Sequence, residues 1–128
     1  MADENKIYRC NTCKTLISAM RASNAKQLIC CDKPMIEVKE LVIPGKEGTH
    51  LPIMTIEGNK VTVRVGEKPH AMEPEHKTEL IQIVRGNSLV AEKKLNPGEV
   101  SEAVFFVENT SGISARAFCD QHGLWRSK

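Results

Sequence analysis

The chain has 128 residues, 41% of them hydrophobic and 27% charged, which suits a small module attached to one modest packed domain and argues against a disordered chain. Its net charge is only +2, with 18 basic residues scattered among 16 acidic ones, so no nucleic-acid partner is expected, because such partners demand a concentrated basic stripe. No stretch reaches the roughly 18 apolar residues that span a bilayer, and the polar opening Met-Ala-Asp-Glu-Asn-Lys has no signal-peptide core, so no membrane association is expected and a cytoplasmic location is.

Residues 1–36 read as the first domain. Its large apolar side chains are few: Ile7, Tyr8, Leu16, Ile17, Leu28, Ile29 and Met35. A segment this short cannot bury enough surface to offset its chain entropy without a staple. Cys10-Asn11-Thr12-Cys13, followed by the adjacent Cys30 and Cys31, supplies four thiolates that can close a tetrahedral shell around zinc or iron. In a reducing compartment such clusters bind metal more readily than they form disulfides, and the total of five cysteines would leave a disulfide framework with one thiol over. Neighbouring side chains on extended backbone point to opposite sides, so Cys30 and Cys31 can face one ion only if the chain turns sharply there. A ferrous ion in four thiolates would carry a net charge of about −2 and have no vacant position. Such a site can hold structure or pass an electron, but it cannot take a substrate.

Residues 37–128 read as the second domain, and from Ile36 onward the pattern is strand-like. Val61-Thr62-Val63-Arg64-Val65 alternates with period two, as a half-buried strand does. Further strands are expected over 36–43, 51–56, 79–84, 89–95, 103–107 and 114–119. Turn chemistry separates them at Glu57-Gly58-Asn59-Lys60, Arg85-Gly86-Asn87-Ser88, Asn96-Pro97-Gly98 and Asn109-Thr110-Ser111-Gly112. Short strands at this spacing, with no long amphipathic helix, predict a mainly-β chain whose second domain is an immunoglobulin-like antiparallel β-sandwich.

A lone histidine is ordinarily a polar residue of structural or surface use, but the setting of these four is more specific. His70 and His76 flank Ala71-Met72-Glu73-Pro74-Glu75, His50 precedes Leu51-Pro52, and Cys119-Asp120-Gln121-His122 closes the strand over 114–119 as a CxxH knuckle before Gly123. Three loops at one end of a sandwich can meet, as binding loops do on such scaffolds. Four imidazoles and one thiolate are too many ligands for closed tetrahedral zinc and leave one octahedral position open, which suits iron and a small substrate. Ferrous iron with neutral histidines and one thiolate has a net charge of about +1, so this rear site should attract a small anion that the front site would repel. A thiolate opposite the open position pushes electron density onto iron, and with bound peroxide that can favour either oxygen–oxygen cleavage or release of hydroperoxide.

Taken together, Cys10-x2-Cys13, Cys30-Cys31, His70-Ala71-Met72-Glu73-Pro74-Glu75-His76 and Cys119-Asp120-Gln121-His122-Gly123-Leu124-Trp125 resemble desulfoferrodoxin, the two-iron class of superoxide reductase. The resemblance runs through essentially the whole chain in the same order. It implies a desulforedoxin/rubredoxin-like first domain with iron held by Cys10, Cys13, Cys30 and Cys31. It also implies a catalytic sandwich with a second iron, to which His50, His70, His76 and His122 are equatorial ligands and Cys119 is axial. Family members are typically cytoplasmic homodimers, reduced by rubredoxin-like carriers, that convert superoxide, one electron and two protons into hydrogen peroxide.

One loop departs from the family pattern. Where the family has Glu-Lys-His, with the lysine attracting superoxide, this chain reads Lys46-Glu47-Gly48-Thr49-His50. Thr49 stands where the lysine is expected, and Glu47 lies one residue further from His50. Gly48 makes the loop permissive enough for Glu47 to reach the iron, and Lys46 or Lys68 could supply the missing charge, although ordinary solvated lysines would look the same. Glu47 and Lys68 are therefore the candidate catalytic residues. Two other readings stay open at this point: a non-catalytic iron electron-transfer or metal-binding protein, and a zinc-ribbon interaction module.

Overall fold

The period-two segment at 61–65 forms a strand in the computed structural model, which describes residues 6–19, 28–41, 51–66, 72–73, 76–86, 88–120 and 123–127. The described residues form strands and turns without a helix, in keeping with the mainly-β architecture expected. The chain divides into two units, Met1–Lys39 and Glu40–Lys128.

In the first unit β1 (Ile7–Arg9) is flanked on both sides by antiparallel partners, β2 (Leu16–Ser18) and β5 (Ile36–Val38). A separate two-stranded hairpin joins β3 (Ile29–Cys30) to β4 (Lys33–Pro34). Only Ile7 and Cys10 are buried among the described residues of this unit, while Ile29 is 65% exposed. The core that these described residues provide is too small to offset the entropy of ordering the chain.

The second unit is a sandwich. One sheet runs β11-β10-β13-β14-β6, built from β6 (Glu40–Leu41), β10 (His76–Arg85), β11 (Ser88–Lys94), β13 (Ile113–Cys119) and β14 (Gly123–Arg126), with β9 (Met72–Glu73) on β10. The facing sheet runs β12-β8-β7, from β7 (Pro52–Glu57), β8 (Lys60–Val65) and β12 (Glu102–Phe106). All pairings are antiparallel except that of β6 with β14. Val61, Val63 and Val65 point inward from β8 and meet Ile81, Ile83, Ala115 and Ala117 of the opposite sheet in one core cluster. Across β10 and β13, Ile81 faces Ala117 and Ile83 faces Ala115, so a large side chain packs beside a small one across the layer. Each buried aliphatic side chain contributes about 1.5–3 kcal/mol. Unlike the first unit, the sandwich carries its own stabilisation.

Two details position the strand ends. β7 and β8 are joined by Gly58-Asn59, with Glu57 paired to Lys60 and Gly58 at φ 61; a glycine with positive φ in the first loop position is what a two-residue II′ hairpin needs. On the sheet face opposite the core, the buried Arg116 guanidinium donates to Gln82 Oε1 at 3.1 Å and to Glu40 Oε2 at 3.4 Å, and Arg126 donates to the same carboxylate oxygen at 3.0 Å. Gln82 donates onward to Glu92 at 3.0 Å. This chain of polar contacts crosses β11, β10, β13, β14 and β6, and ties the first short strand of the unit to its centre.

The expected strand over 36–43 is instead two short strands that break at Lys39 and belong to different sheets, β5 and β6.

Candidate metal centres

The front site owes its geometry to two local turns. In the first, Lys14 N–H donates to Cys10 O at 2.9 Å and Cys10 N–H to Thr15 O at 2.9 Å, and Lys14 takes a left-handed φ of 67. That fold brings the Cys13 N–H to within 3.5 Å of Cys10 Sγ, a bond that favours the thiolate form. In the second, Cys31 and Asp32 are the two loop residues of the β3–β4 hairpin, with φ 54 and 61. Positive φ at both loop positions is the signature of a type I′ turn, normally taken by Asn and Gly. The sharp turn required by the adjacent cysteines is therefore a hairpin tip, and it swings Cys30 and Cys31 to the same side.

As a result the sulfurs of Cys10, Cys13, Cys30 and Cys31 all lie within 4.8 Å of one another. Cys13 Sγ is 3.5 Å from Cys30 Sγ, which in turn is 4.0 Å from Cys31 Sγ. An edge of a tetrahedron with metal–sulfur bonds near 2.3 Å measures about 3.8 Å, so this set fits a tetrahedral ion. The spacing is far beyond a disulfide of about 2.05 Å, and all five cysteines are free thiols. Cys10 is buried, whereas Cys13 and Cys31 are exposed.

The four thiols are unequal. The Thr15 hydroxyl, 2.9 Å from Cys13 Sγ, is the main cause that lowers the Cys13 thiol to about 6, with help from the Thr15 backbone. Cys10 is also lowered, chiefly by the Cys13 backbone N–H. Cys30 is pushed up to about 12, first by its hydrogen bond with Cys13 and then by that with Cys10, and Cys31 is raised by the same two neighbours. Without metal the cluster thus keeps a proton on Cys30 at neutral pH while Cys13 is ionised, because the hydrogen bonds among the sulfurs favour the thiolate on one partner and the thiol on the other. The hydroxyl of Thr15 is a partner that the cysteine spacing did not reveal; a threonine two residues past a CxxC pair is its only signal.

At the rear, Cys119 is the last residue of β13 and is 4% exposed. It faces Thr78 of β10 on one side and Gly123 of β14 on the other. His76 is the first residue of β10. His50, His70, His122, Glu47, Lys46 and Lys68 lie outside the described residues, as does the side chain of His76. The described neighbours of these histidines, however, share one end of the sandwich. Gly66 N–H donates to Leu51 O at 2.9 Å, and Val65 N–H to Ser101 O at 3.1 Å. The Ser101 hydroxyl donates to Thr78 Oγ1 at 2.9 Å, a buried bond that crosses between the sheets, and Thr78 is paired with Cys119. An unbroken series of contacts therefore connects Leu51, which follows His50, with Gly66, which precedes His70 by four residues, and with Thr78, Cys119 and Gly123.

Asp120 adds a link that the sequence reading did not single out. Its N–H donates to Lys77 O at 3.1 Å, its Oδ1 accepts the Lys77 N–H at 2.9 Å, and its Oδ2 pairs with Lys77 Nζ at 3.4 Å. Nothing in the local pattern announces a bond between residues forty-three positions apart.

The protein-family model described as desulfoferrodoxin matches residues 33–128. A desulfoferrodoxin homolog of Archaeoglobus fulgidus is 40% identical over 99% of both chains. The superoxide reductase from Treponema pallidum has the same fold, with a TM-score of 0.75 and 24% identity over 100% of both chains. A superoxide reductase from Giardia intestinalis matches with a TM-score of 0.56 and 27% identity, covering 62% of this chain and 94% of its own.

Proposed function

The chain belongs to the desulfoferrodoxin family, and from that premise we propose that it is a superoxide reductase with two iron ions, one in each unit. The observation that carries this reading is the placement of the buried Cys119 thiol at the end of the sandwich where described residues near His50, His70, His76 and His122 in the chain are linked by hydrogen bonds and strand pairings. A buried Cys119 thiolate with these four histidines as partners would suit iron, since imidazole with thiolate is a redox-iron donor set and not a closed zinc shell.

Cys119 and the four histidines would hold the rear iron, and the tetrahedral cluster of Cys10, Cys13, Cys30 and Cys31 the front one. Ferrous iron held there would supply the single electron that, with two protons, converts superoxide into hydrogen peroxide. The residues of the chain then have distinct tasks. Burial of Cys119 keeps solvent from the sulfur, which protects the thiolate and strengthens its field. Glu47 is the candidate carboxylate that would bind the resting metal, and Lys68, two residues before His70, is the candidate positive charge that would draw the anion in, in place of the lysine that Thr49 replaces. A small one-electron carrier of rubredoxin-like kind restores the reduced state, and a homodimer is the assembly proposed.

Stopped-flow mixing of the reduced protein with superoxide tests the reading. The expected product is hydrogen peroxide without dioxygen, with Cys119→Ser abolishing the reaction while the absorption of the front iron persists. Formation of dioxygen, or full activity in Cys119→Ser, would overturn it.

A further inference from the structure

We infer that Asp120 is a positioning residue for the rear metal centre: its carboxylate clasps the peptide of Lys77 and so fixes the strand that begins at His76 against the strand that ends at Cys119. This rests on the rear-site reading above and extends it to a residue that is not itself a ligand.

The need for a clasp comes from the ladder. β10 and β13 fall out of register between Thr78 and Leu80, directly opposite Cys119 and Phe118. A bulge leaves a residue unpaired and bends its strand, so the ladder is weakened beside Cys119 and two residues from His76. Beyond the bulge pairing resumes only briefly, Thr78 with Cys119, because β13 turns at once into β14, with Cys119 already paired to Gly123. Asp120 is the first residue of that turn. Its backbone N–H still donates to Lys77 O at 3.1 Å, but the return bond, from the Lys77 N–H, goes to side-chain Oδ1 at 2.9 Å. The carboxylate therefore stands in for the missing ladder acceptor.

The second carboxylate oxygen is also engaged. Oδ2 pairs with Lys77 Nζ at 3.4 Å, and that ammonium pairs with Glu79 Oε1 at 3.5 Å. With both oxygens turned across the ladder to Lys77, Asp120 is oriented away from ligation and toward holding the two strands together. The precision matters because a metal centre accepts ligand atoms only within about 0.2 Å of their bonding distances, and supporting contacts decide whether preformed strands meet that tolerance.

The test uses the full chain loaded with iron. In Asp120→Ala, chelator competition should show the rear iron held about 10-fold more weakly, and the thiolate-to-ferric charge-transfer band of Cys119 should shift, with the front iron unaltered. Asp120→Asn keeps an amide oxygen to accept the Lys77 N–H and should restore most of the affinity and the band position. Lys77→Ala keeps the peptide N–H and should lose less than Asp120→Ala. Wild-type rear affinity and band in Asp120→Ala would overturn the proposal, as would equal damage in Asp120→Asn, which would assign the effect to charge alone. Should Asp120→Ala not fold, Asp120→Asn carries the test, with a wild-type band supporting the clasp and a lost band rejecting it. A wild-type protein that binds one iron per chain, or a Cys119→Ser spectrum identical to wild type, would instead defeat the rear-site reading, whatever Asp120 does.

Discussion

Met1–Lys39 and Glu40–Lys128 hold their candidate metal ligands by different means. In the first unit the four cysteines sit on two tight turns, and the described apolar core hardly extends past Ile7. In the second, Cys119 sits at the end of a sheet whose core, from Val61 to Ala117, is closed before any ligand is considered. The first unit has candidate ligands in search of a core, and the second has a core with a candidate ligand at its end. On the proposed reading, metal would therefore be part of the folding energy at the front and a guest at the rear.

Stripping the metal should break this comparison most plainly. A chelator that empties both sites is expected to abolish hydrogen-exchange protection at Ile7, Tyr8 and Ile17, because structural metal binding of this kind supplies on the order of 10 kcal/mol of folding free energy. Protection at Ile81, Ile83 and Ala115 should persist. Equal loss in both units would show that the sandwich also depends on its metal. The converse substitution is Ile83→Ala, in the fully buried layer against Ala115. It should destabilise the sandwich by about 2–5 kcal/mol in denaturant melts while the front-site absorption survives to the same chelator concentration.

The thiol inequality sharpens the comparison at the front. Cys30, pushed up to about 12, is protonated in the metal-free protein at neutral pH, while Cys13, lowered to about 6, is already a thiolate. Metal needs thiolates, so uptake must expel the proton on Cys30, and front-site affinity should rise with pH by about tenfold per unit for each proton released. Titration of the apo protein with ferrous iron in a weak buffer should acidify it. A pH-independent affinity between 6 and 8 would contradict the hydrogen-bond scheme.

The smallest effect expected is on substrate attraction at the rear. Lys68→Ala should lower the second-order rate with superoxide by a factor of about 3 and flatten its dependence on ionic strength. An unchanged rate and salt slope would leave Lys68 as an ordinary solvated lysine.

Much of the fold is legible in the sequence where side-chain periodicity is long enough to register. The expected segments 61–65, 103–107 and 114–119 correspond within a residue at each end to β8, β12 and β13. What escaped is short or buried on both faces. Ile7–Arg9 and Leu16–Ser18 have three residues each, too few to show a period of two. In Gly123–Arg126 the consecutive Leu124 and Trp125 are both buried, so no alternation marks the strand. The break at Lys39 was hidden because apolar residues continue on either side of it.

The two candidate sites divide in the same way. A CxxC pair and two adjacent cysteines specify four sulfurs and demand a turn, and both requirements are met within a few residues by backbone conformations at Lys14, Cys31 and Asp32. Local chemistry was enough, because a hairpin tip needs no distant partner. The end of the sandwich was different. Which strand ends share it depends on the bond between Ser101 and Thr78 and on the clasp of Asp120 on Lys77. These join residues far apart in sequence, and only the packing of two sheets against a common core decides that they meet.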